Sequence, residues 1–209
     1  MILLLLVAVA YIACITAELN MRRLWAGLAD DGFVAVPEAD AELAELMLNW
    51  ADTIRGNLVL ATMVVFIIWF HRVRCNAGVF ATDWFTNGTG MAIGAWFIPI
   101  GNLWIPRRVA VETWTASQAD HLAGSRHQPT TPVNIWWTGW VASLLLSAVA
   151  SWRGSRAETA GEVLAAADLM VAADAVAIVA AVLAILFVRR LTHMQHTKAL
   201  ALSQTPRTV

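Results

Sequence analysis

Long apolar stretches recur along this chain of 209 residues and limit what it can fold into. Residues 133–152 contain no charged side chain, and residues 2–17 are almost wholly apolar. Hydrophobic residues make up 59% of the sequence and charged residues 14%, a balance typical of proteins that cross a bilayer several times. Runs of about 20 apolar residues have the length of helical spans. We therefore predict an all-α polytopic integral membrane helical bundle.

The predicted bundle has four transmembrane helices in a single membrane domain, 1–209. The first run begins without a basic residue and has a poor cleavage site at 15–17, so we expect an uncleaved span rather than a secretory signal. Residues 20–52 are expected to form an acidic first loop, in which 39–50 favour an amphipathic helix. The spans are predicted at about residues 2–19, 54–75, 133–152 and 163–189.

A further apolar run, residues 90–106, is interrupted in its middle by Pro99 and Gly101. A straight helix of that length would reach only about 25 Å, short of the roughly 30 Å hydrocarbon layer. Broken backbone at membrane depth is tolerated only where it packs against protein or lines a wet cavity, so the segment predicts a functional site. We favour a re-entrant element followed by a helix at 106–117, although a crossing segment remains open.

The basic residues favour one orientation in the membrane. With four spans, nine of the 14 basic residues lie on the face that holds both termini, and five lie on the other. Positive charge is favoured on the cytoplasmic side, so we predict a multi-pass protein of the cell membrane with cytoplasmic termini. A crossing segment divides the basic residues ten to four with an external N-terminus, which is about as good. The nine are Arg72, Arg74, Arg107, Arg108, Arg126, Arg189, Arg190, Lys198 and Arg207.

Arginines beside the interrupted segment are the best candidate ligand site. Arg107 and Arg108 belong to the first turn of a helix that begins at Pro106, and Arg72 and Arg74 end the second span. Guanidinium groups and the N–H groups of a helix start suit a phosphate or a lipid headgroup, but anchoring of span ends explains the same residues. The predicted ligand-binding residues are Arg72, Arg74, Asn76, Trp96, Asn102, Trp104, Arg107, Arg108 and Trp114.

The chain contains 11 tryptophans, several times the ordinary usage. Those near span ends are typical of interfacial belts, whereas those near the interrupted segment are candidates for lining an internal pocket for a cation or an apolar ligand. The expected belt residues are Trp50, Trp69, Trp136, Trp137 and Trp152. The expected pocket residues are Trp96, Trp104, Trp114 and Trp140.

Ionisable groups within the bilayer are costly and need an explanation. Asp168 is expected as a solvated carboxylate at the outer headgroups, and Asp174 lies roughly 7 Å deeper. Asp174 either pairs with Arg55 or Asn57, or lines a cavity. The two aspartates point about 120° apart on a helix, so they are not an acid–base pair on one face.

Several kinds of site have no support in the sequence. The five histidines are scattered or lie on an exposed helix end, so we expect no metal and no cofactor. Motifs of hydrolases and phosphate-binding loops do not occur. The arginines form pairs beside apolar runs rather than one basic face, so no nucleic-acid partner is expected. Cys14 and Cys75 are expected to be free thiols.

Five stretches carry a resemblance to a known family. They are WFHRVRCNA at 69–77, WFIPIGNLWIP at 96–106, ETWTAS at 112–117, WW at 136–137, and the last helix from Ala167 to Leu191. With these stretches the chain resembles the multi-pass membrane family catalogued as domain of unknown function 4328. The resemblance covers nearly the whole chain and implies the architecture without a reaction.

Two main classes of function remain open. The first is a non-enzymatic protein that binds a lipid headgroup or a membrane protein partner through the interrupted segment and the arginines. The alternative is a membrane-embedded enzyme that cyclises a lipid or isoprenoid ligand in a Trp-lined pocket, with Glu112 or Asp174 as the acid. That alternative requires both carboxyl groups to face one cavity. A small transporter is a weaker reading, since no internal repeat is evident.

Overall fold

The computed structural model describes residues 1–30, 37–81, 85–118 and 129–204, apart from the side chains of 28–30 and 204. This part of the chain contains no strand, and the all-α prediction is confirmed. Two short 3₁₀ helices, Ala95–Phe97 and Gly101–Leu103, follow one another in the interrupted segment. The α-helices are α1 (Ile2–Asp30), α2 (Glu38–Phe80), α3 (Met91–Gly94), α4 (Ile105–Ala116), α5 (Thr131–Gly154) and α6 (Ala160–Gln204).

Four of these helices are long and apolar enough to cross a membrane, which indicates a membrane protein. The predicted spans lie within these longer helices. The qualifying parts are Ile2–Gly27 of α1, Glu38–Phe80 of α2, Thr131–Gly154 of α5 and Ala160–Ser203 of α6.

Local sequence signals explain where the helices begin. At the start of α6, the Glu162 carboxylate accepts from the backbone N–H groups of Glu158 and Thr159, and Thr159 Oγ1 accepts from the Glu162 N–H. This reciprocal pattern is a capping box. Pro106 lies in the first turn of α4, where its missing N–H is not needed.

The chain divides into two compact units. Unit 1 comprises residues 1–62 and 138–182, and unit 2 comprises 63–137 and 183–209, of which the structure describes the parts given above. The helices α2, α5 and α6 contribute to both units. The predicted single membrane domain stays a prediction.

The prediction of a long first loop is wrong. Helix α1 continues to Asp30 and α2 already begins at Glu38, so most of residues 20–52 is helical. Residues 21–29 are mainly good helix formers and include no proline, so the helix of the first span continues. Arg22 in this part of α1 forms an exposed ion pair with Asp168 of α6. Residues 39–50 are helical and continuous with the second span, as the sequence predicted. Residues 31–36 lie outside the described part.

The two units have different interiors. The buried apolar residues of unit 1 are small or medium in size, among them Val7, Ala10, Cys14, Ala44, Ala150, Ala166, Ala173 and Ala177. Unit 2 instead contains an aromatic cluster, which comprises Phe66, Trp69, Phe70, Trp96, Trp114, Trp136, Trp137 and Phe187. Phe187 stacks on Trp136 with ring centroids 4.7 Å apart and on Trp114 at 6.1 Å. Offset or edge contacts of this kind add to the stabilisation that burial provides.

Helix α6 extends beyond its predicted span, 163–189, and is buried at Lys198. Helix α6 continues to Gln204, and Lys198 is only 5% exposed. Its Nζ donates to the carbonyl oxygens of Ala116 at 3.0 Å and Gln118 at 2.9 Å. These carbonyls end α4, where a cation is favoured because the last carbonyls lack helical partners. Arg207 lies outside the described residues, as does the predicted loop residue Arg126.

Candidate functional site

The interrupted segment contains a strained turn in unit 2. Its helix ends before Pro99, and the N–H of Gly101 donates to the Pro99 carbonyl at 2.6 Å. Ile100, between them, has φ 62° and ψ −46°. This is the geometry of a classic γ-turn, which is rare, and positive φ is unfavourable for a β-branched residue. The predicted break at Pro99 and Gly101 is confirmed.

Glycine is required at position 101 because the chain closes tightly around it. A Cβ atom there would lie 2.8 Å from Ile98 Cγ2 and 3.0 Å from Ile105 Cδ1. Real Cβ atoms essentially never show the first distance, and the second is tighter than most contacts, so a larger residue would push the flanking isoleucines apart. Gly101 therefore lets the turn fold back into α4.

Buried tryptophans hold the inner side of the segment. Trp96 is buried and its Nε1 donates to the Ala92 carbonyl at 3.1 Å. Trp137 of α5 is also buried, and its Nε1 donates to the Leu103 carbonyl at 3.0 Å. Asn102 lies half-buried between these contacts. The interrupted backbone is thus fixed on one side by unit 2.

The outer side of the segment is apolar and exposed. Phe97, Ile100 and Trp104 are 68%, 70% and 57% exposed, and Ile98 is exposed as well. We call Phe97, Ile98, Ile100 and Trp104 the apolar turn. An exposed apolar group of this kind marks a contact surface for another apolar phase or molecule.

Two exposed arginines follow the apolar turn in the first turn of α4. Arg107 donates through Nη2 to Asn134 Oδ1 at 2.8 Å. Arg108 donates through Nη2 to Thr86 Oγ1 at 3.1 Å, and its Nε lies 3.5 Å from the Glu112 carboxylate. The four-residue spacing of positions 108 and 112 allows this pair on one face of α4. Asn134 thus orients the Arg107 guanidinium, and Thr86 and Glu112 orient that of Arg108. Both arginines remain exposed.

The other predicted arginines have different surroundings. Arg74 is buried, donates through Nη2 to the Asn87 carbonyl at 2.8 Å, and lies 3.3 Å from the Phe85 ring centroid. It holds residues 85–87 rather than facing outward. Arg72 is exposed, and the Asn76 amide donates to Gln195 Oε1 at 3.4 Å. The predicted ligand-binding residues all lie in unit 2. Among them, the exposed charged or aromatic side chains are those of Arg72, Trp104, Arg107 and Arg108.

The expected division of the tryptophans is partly wrong. Trp96 and Trp114 are buried in the aromatic cluster, whereas Trp104 is exposed, so the three do not line one pocket. Trp136 and Trp137, expected at the interface, are buried in the same cluster because Phe187 and Trp96 pack against them. Trp50 and Trp152 are exposed, while Trp69 and Trp140 are half-buried.

The two candidate acids are both engaged. The Thr86 hydroxyl donates to Glu112 Oε1 at 2.8 Å. Both oxygens of Asp174 accept from Arg55 Nη1, at 2.8 and 3.1 Å, which confirms Arg55 rather than Asn57 as its partner. Asp174 thus acts as an acceptor in an ion pair, and the geometry offers no support for it as the acid of a cyclisation.

Residues that sequence reasoning missed orient this site. Thr86 connects Arg108 with Glu112, and Asn134 holds Arg107. Gln195 donates through Nε2 to the Val73 carbonyl at 2.8 Å and to Ser117 Oγ at 2.9 Å. Neutral polar residues have no characteristic spacing in the sequence, so only the Asn87-Gly88 turn signal pointed to this region.

Comparison with known proteins supports the architecture. The model of the family described as Domain of unknown function (DUF4328) matches residues 34–193, which include the interrupted segment and the arginines around it. No curated protein and no solved structure matches the chain. Since the match covers more than half of the chain, this protein belongs to the family Domain of unknown function (DUF4328).

Proposed function

We propose that this protein is a multi-pass protein of the cell membrane whose unit 2 binds the headgroup of an anionic lipid. The apolar turn enters the hydrocarbon, and Arg107 and Arg108 contact the lipid phosphate. The protein is a binding protein in this proposal, and the interrupted segment is its lipid-contacting element.

The observation that carries the proposal is the exposed Ile100 in a strained backbone. Ile100 is 70% exposed, so packing within the protein does not explain an apolar β-branched side chain at φ 62°. Backbone strain of this kind costs about 1–3 kcal/mol and persists at functional sites. A side chain that contacts lipid explains why the residue is apolar although glycine would be relaxed there.

Chemistry next to the turn fits a phosphate. Arg107 and Arg108 present accessible guanidinium groups, which bind phosphate by paired N–H donors. Trp104, the last residue of the apolar turn, precedes these arginines closely in sequence and is exposed, a position typical of the headgroup level. Along the chain, apolar side chains are thus followed by an aromatic and then by two cationic side chains. A bilayer surface presents hydrocarbon, the interface and lipid phosphates in the same order.

We further propose that the segment 90–106 re-enters the membrane and that both termini are cytoplasmic. The break at Pro99 and Gly101 in a short segment favours re-entry, and with four spans the division of the 14 basic residues favours cytoplasmic termini. It puts Arg107 and Arg108 at the cytoplasmic leaflet, where anionic lipids are concentrated.

The small size of the apolar turn favours a lipid over a protein partner. A standard protein interface uses about 20–30 residues on each side. The apolar turn and its two arginines offer six side chains, enough for one headgroup and the tops of its chains.

Lipid titration tests the proposal. The affinity of detergent-solubilised protein for phosphatidylglycerol and for phosphatidylcholine would be measured by native mass spectrometry, for the wild type and for Arg107→Ala/Arg108→Ala. Each arginine near an anionic headgroup contributes about 1 kcal/mol, so the double variant should bind phosphatidylglycerol about thirtyfold more weakly. Arg153→Ala, an exposed arginine of unit 1, is the matched control and should change little.

An unchanged affinity of the folded double variant would overturn the proposal. A protein that is retained by the wild type and lost from the double variant, without any lipid preference, would instead establish a protein partner.

Cysteine labelling tests the topology. In a variant without Cys14 and Cys75, Gly88→Cys and Pro129→Cys place thiols before and after the segment and α4. Re-entry predicts that a membrane-impermeant maleimide labels both thiols from the same side. Labelling from opposite sides would contradict it.

A further inference from the structure

A polar cluster lies inside unit 1, on three helices that are apolar enough to cross a membrane. Arg55 of α2 is its centre, with Nη2 2.8 Å from Asp52 Oδ1 and Nη1 2.8 Å from Asp174 Oδ1 of α6. The Arg55 guanidinium also lies 5.6 Å from the Tyr11 ring centroid. Cys14 donates weakly to Asp52 Oδ1 at 3.8 Å.

A third carboxylate faces this cluster without a partner. Glu18 of α1 is only 8% exposed, and its Oε2 is buried and has no hydrogen-bond donor within the described residues. Its carboxylate interacts electrostatically with Asp174, Arg55 and Asp52. Arg22, four residues further along α1, is bound to Asp168 instead.

The charges of the cluster do not balance. Arg55 binds Asp52 and Asp174, and Glu18 Oε2 receives no hydrogen bond from the described residues. A buried ionised carboxylate is costly unless it is paired and hydrogen-bonded. A further cationic donor at Glu18 would supply both the hydrogen bond and the compensating charge.

An ammonium group fits this need better than a metal ion. Among the described residues, no three histidine, cysteine, aspartate or glutamate side chains are placed to hold a metal. A primary ammonium carries three N–H donors and one positive charge, and it needs acceptors rather than a coordination shell. The free Glu18 Oε2 and the half-exposed Asp52 carboxylate supply such acceptors.

We propose that Glu18, together with Asp52, forms a binding site in unit 1 for a primary ammonium group, carried by an ethanolamine lipid headgroup or by a free amine. The Glu18 carboxylate accepts one N–H bond and compensates the charge. The lipid and the free amine share this chemistry and differ in how they reach the site. This site is independent of the arginines of unit 2.

Lipids that differ only at the nitrogen test the proposal directly. The protein would be titrated in detergent with phosphatidylethanolamine and with phosphatidylcholine of the same chains, and the dissociation constants measured by native mass spectrometry. Both lipids are zwitterionic, but choline has no N–H donor. A charge-assisted hydrogen bond corresponds to about a tenfold change in affinity or more, so wild type should prefer phosphatidylethanolamine by about tenfold.

Conservative variants locate the preference. Glu18→Gln should lose the preference for phosphatidylethanolamine. It should bind both lipids with the affinity that the wild type has for phosphatidylcholine. Glu42→Gln removes an exposed carboxylate elsewhere in unit 1 and should keep it. If Glu18→Gln does not fold, Asp52→Asn, whose side chain is half-exposed, replaces it as the deciding variant.

Free ethanolamine distinguishes the two sources. Stabilisation of wild type by ethanolamine but not by choline, without a lipid preference, identifies a free amine as the ligand. Equal binding of both lipids together with no effect of ethanolamine overturns the proposal. A folded Glu18→Gln that keeps the preference for phosphatidylethanolamine also overturns the proposal, because the preference would then not depend on the Glu18 carboxylate.

Discussion

Units 1 and 2 differ in the residues that fill their interiors and in how their buried charges are stabilised. Unit 1 places ion pairs between small residues, with Asp174 fully buried against Arg55. Unit 2 fills its interior with aromatic rings around Phe187, and its buried cations Arg74 and Lys198 bind backbone carbonyl oxygens. The difference follows from the sign of the buried charge, because backbone carbonyl oxygens can accept from a cation, whereas the Asp174 carboxylate needs a donor and receives it from Arg55.

This contrast explains why the candidate sites differ. In unit 1 the buried apolar residues are small, and ion pairs hold the charged side chains in place. One buried carboxylate oxygen, Glu18 Oε2, has no hydrogen-bond donor among the described residues. In unit 2 the aromatic cluster fixes the backbone, so exposed residues such as Ile100 and Arg107 are free to contact a ligand. The following three changes test the contrast, beginning with the largest expected effect.

Arg55→Met should lower the free energy of unfolding by about 3–5 kcal/mol, because it leaves Asp174 buried without its partner. Unfolding in mixed detergent measures the change. Arg22→Met, which breaks the exposed pair with Asp168, is the control and should have little effect. Equal effects of the two variants would show that unit 1 does not depend on its buried pair.

Lys198→Met should lower the free energy of unfolding by about 2 kcal/mol, because two carbonyl oxygens lose a charged donor. Hydrogen exchange should increase at the end of α4. His196→Ala changes an exposed residue of the same helix and should leave exchange as it is. Unaltered exchange in Lys198→Met would contradict the role of Lys198 in unit 2.

Ile100→Gly should raise the free energy of unfolding by about 1 kcal/mol, because glycine adopts positive φ without strain. The same variant should bind phosphatidylglycerol more weakly, since it removes an apolar side chain from the turn. Ile98→Gly is the control, because Ile98 has φ −81° and gains nothing from glycine. A stability that falls equally in both variants would show that the turn is not strained.

Local sequence rules predicted part of the candidate sites. For Asp174 the sequence left Arg55, Asn57 or a cavity as alternatives, and the structure shows Arg55. The pair between Arg108 and Glu112 agrees with their four-residue spacing on a helix. The break at Pro99 followed from residue type.

Other features were out of reach of such rules. Lys198 binds two carbonyl oxygens, and every residue has a carbonyl, so no sequence pattern identifies its partners. The burial of Trp136 and Trp137 depends on rings from α2, the first 3₁₀ helix and α6, not on distance from a span end. The ion pair between Arg22 and Asp168 joins residues that are far apart along the chain.

The sequence by itself determined that the protein is helical, that four helices have the length and composition of membrane spans, and that a fifth apolar run is broken. These properties depend on backbone hydrogen bonding in apolar surroundings and on the local effects of proline and glycine. Only the tertiary structure decided which charges are paired, which rings are buried, and that Glu18 is left without a donor. Those outcomes depend on which distant residues meet, and the energy of a charge or a ring is set by its neighbours in space.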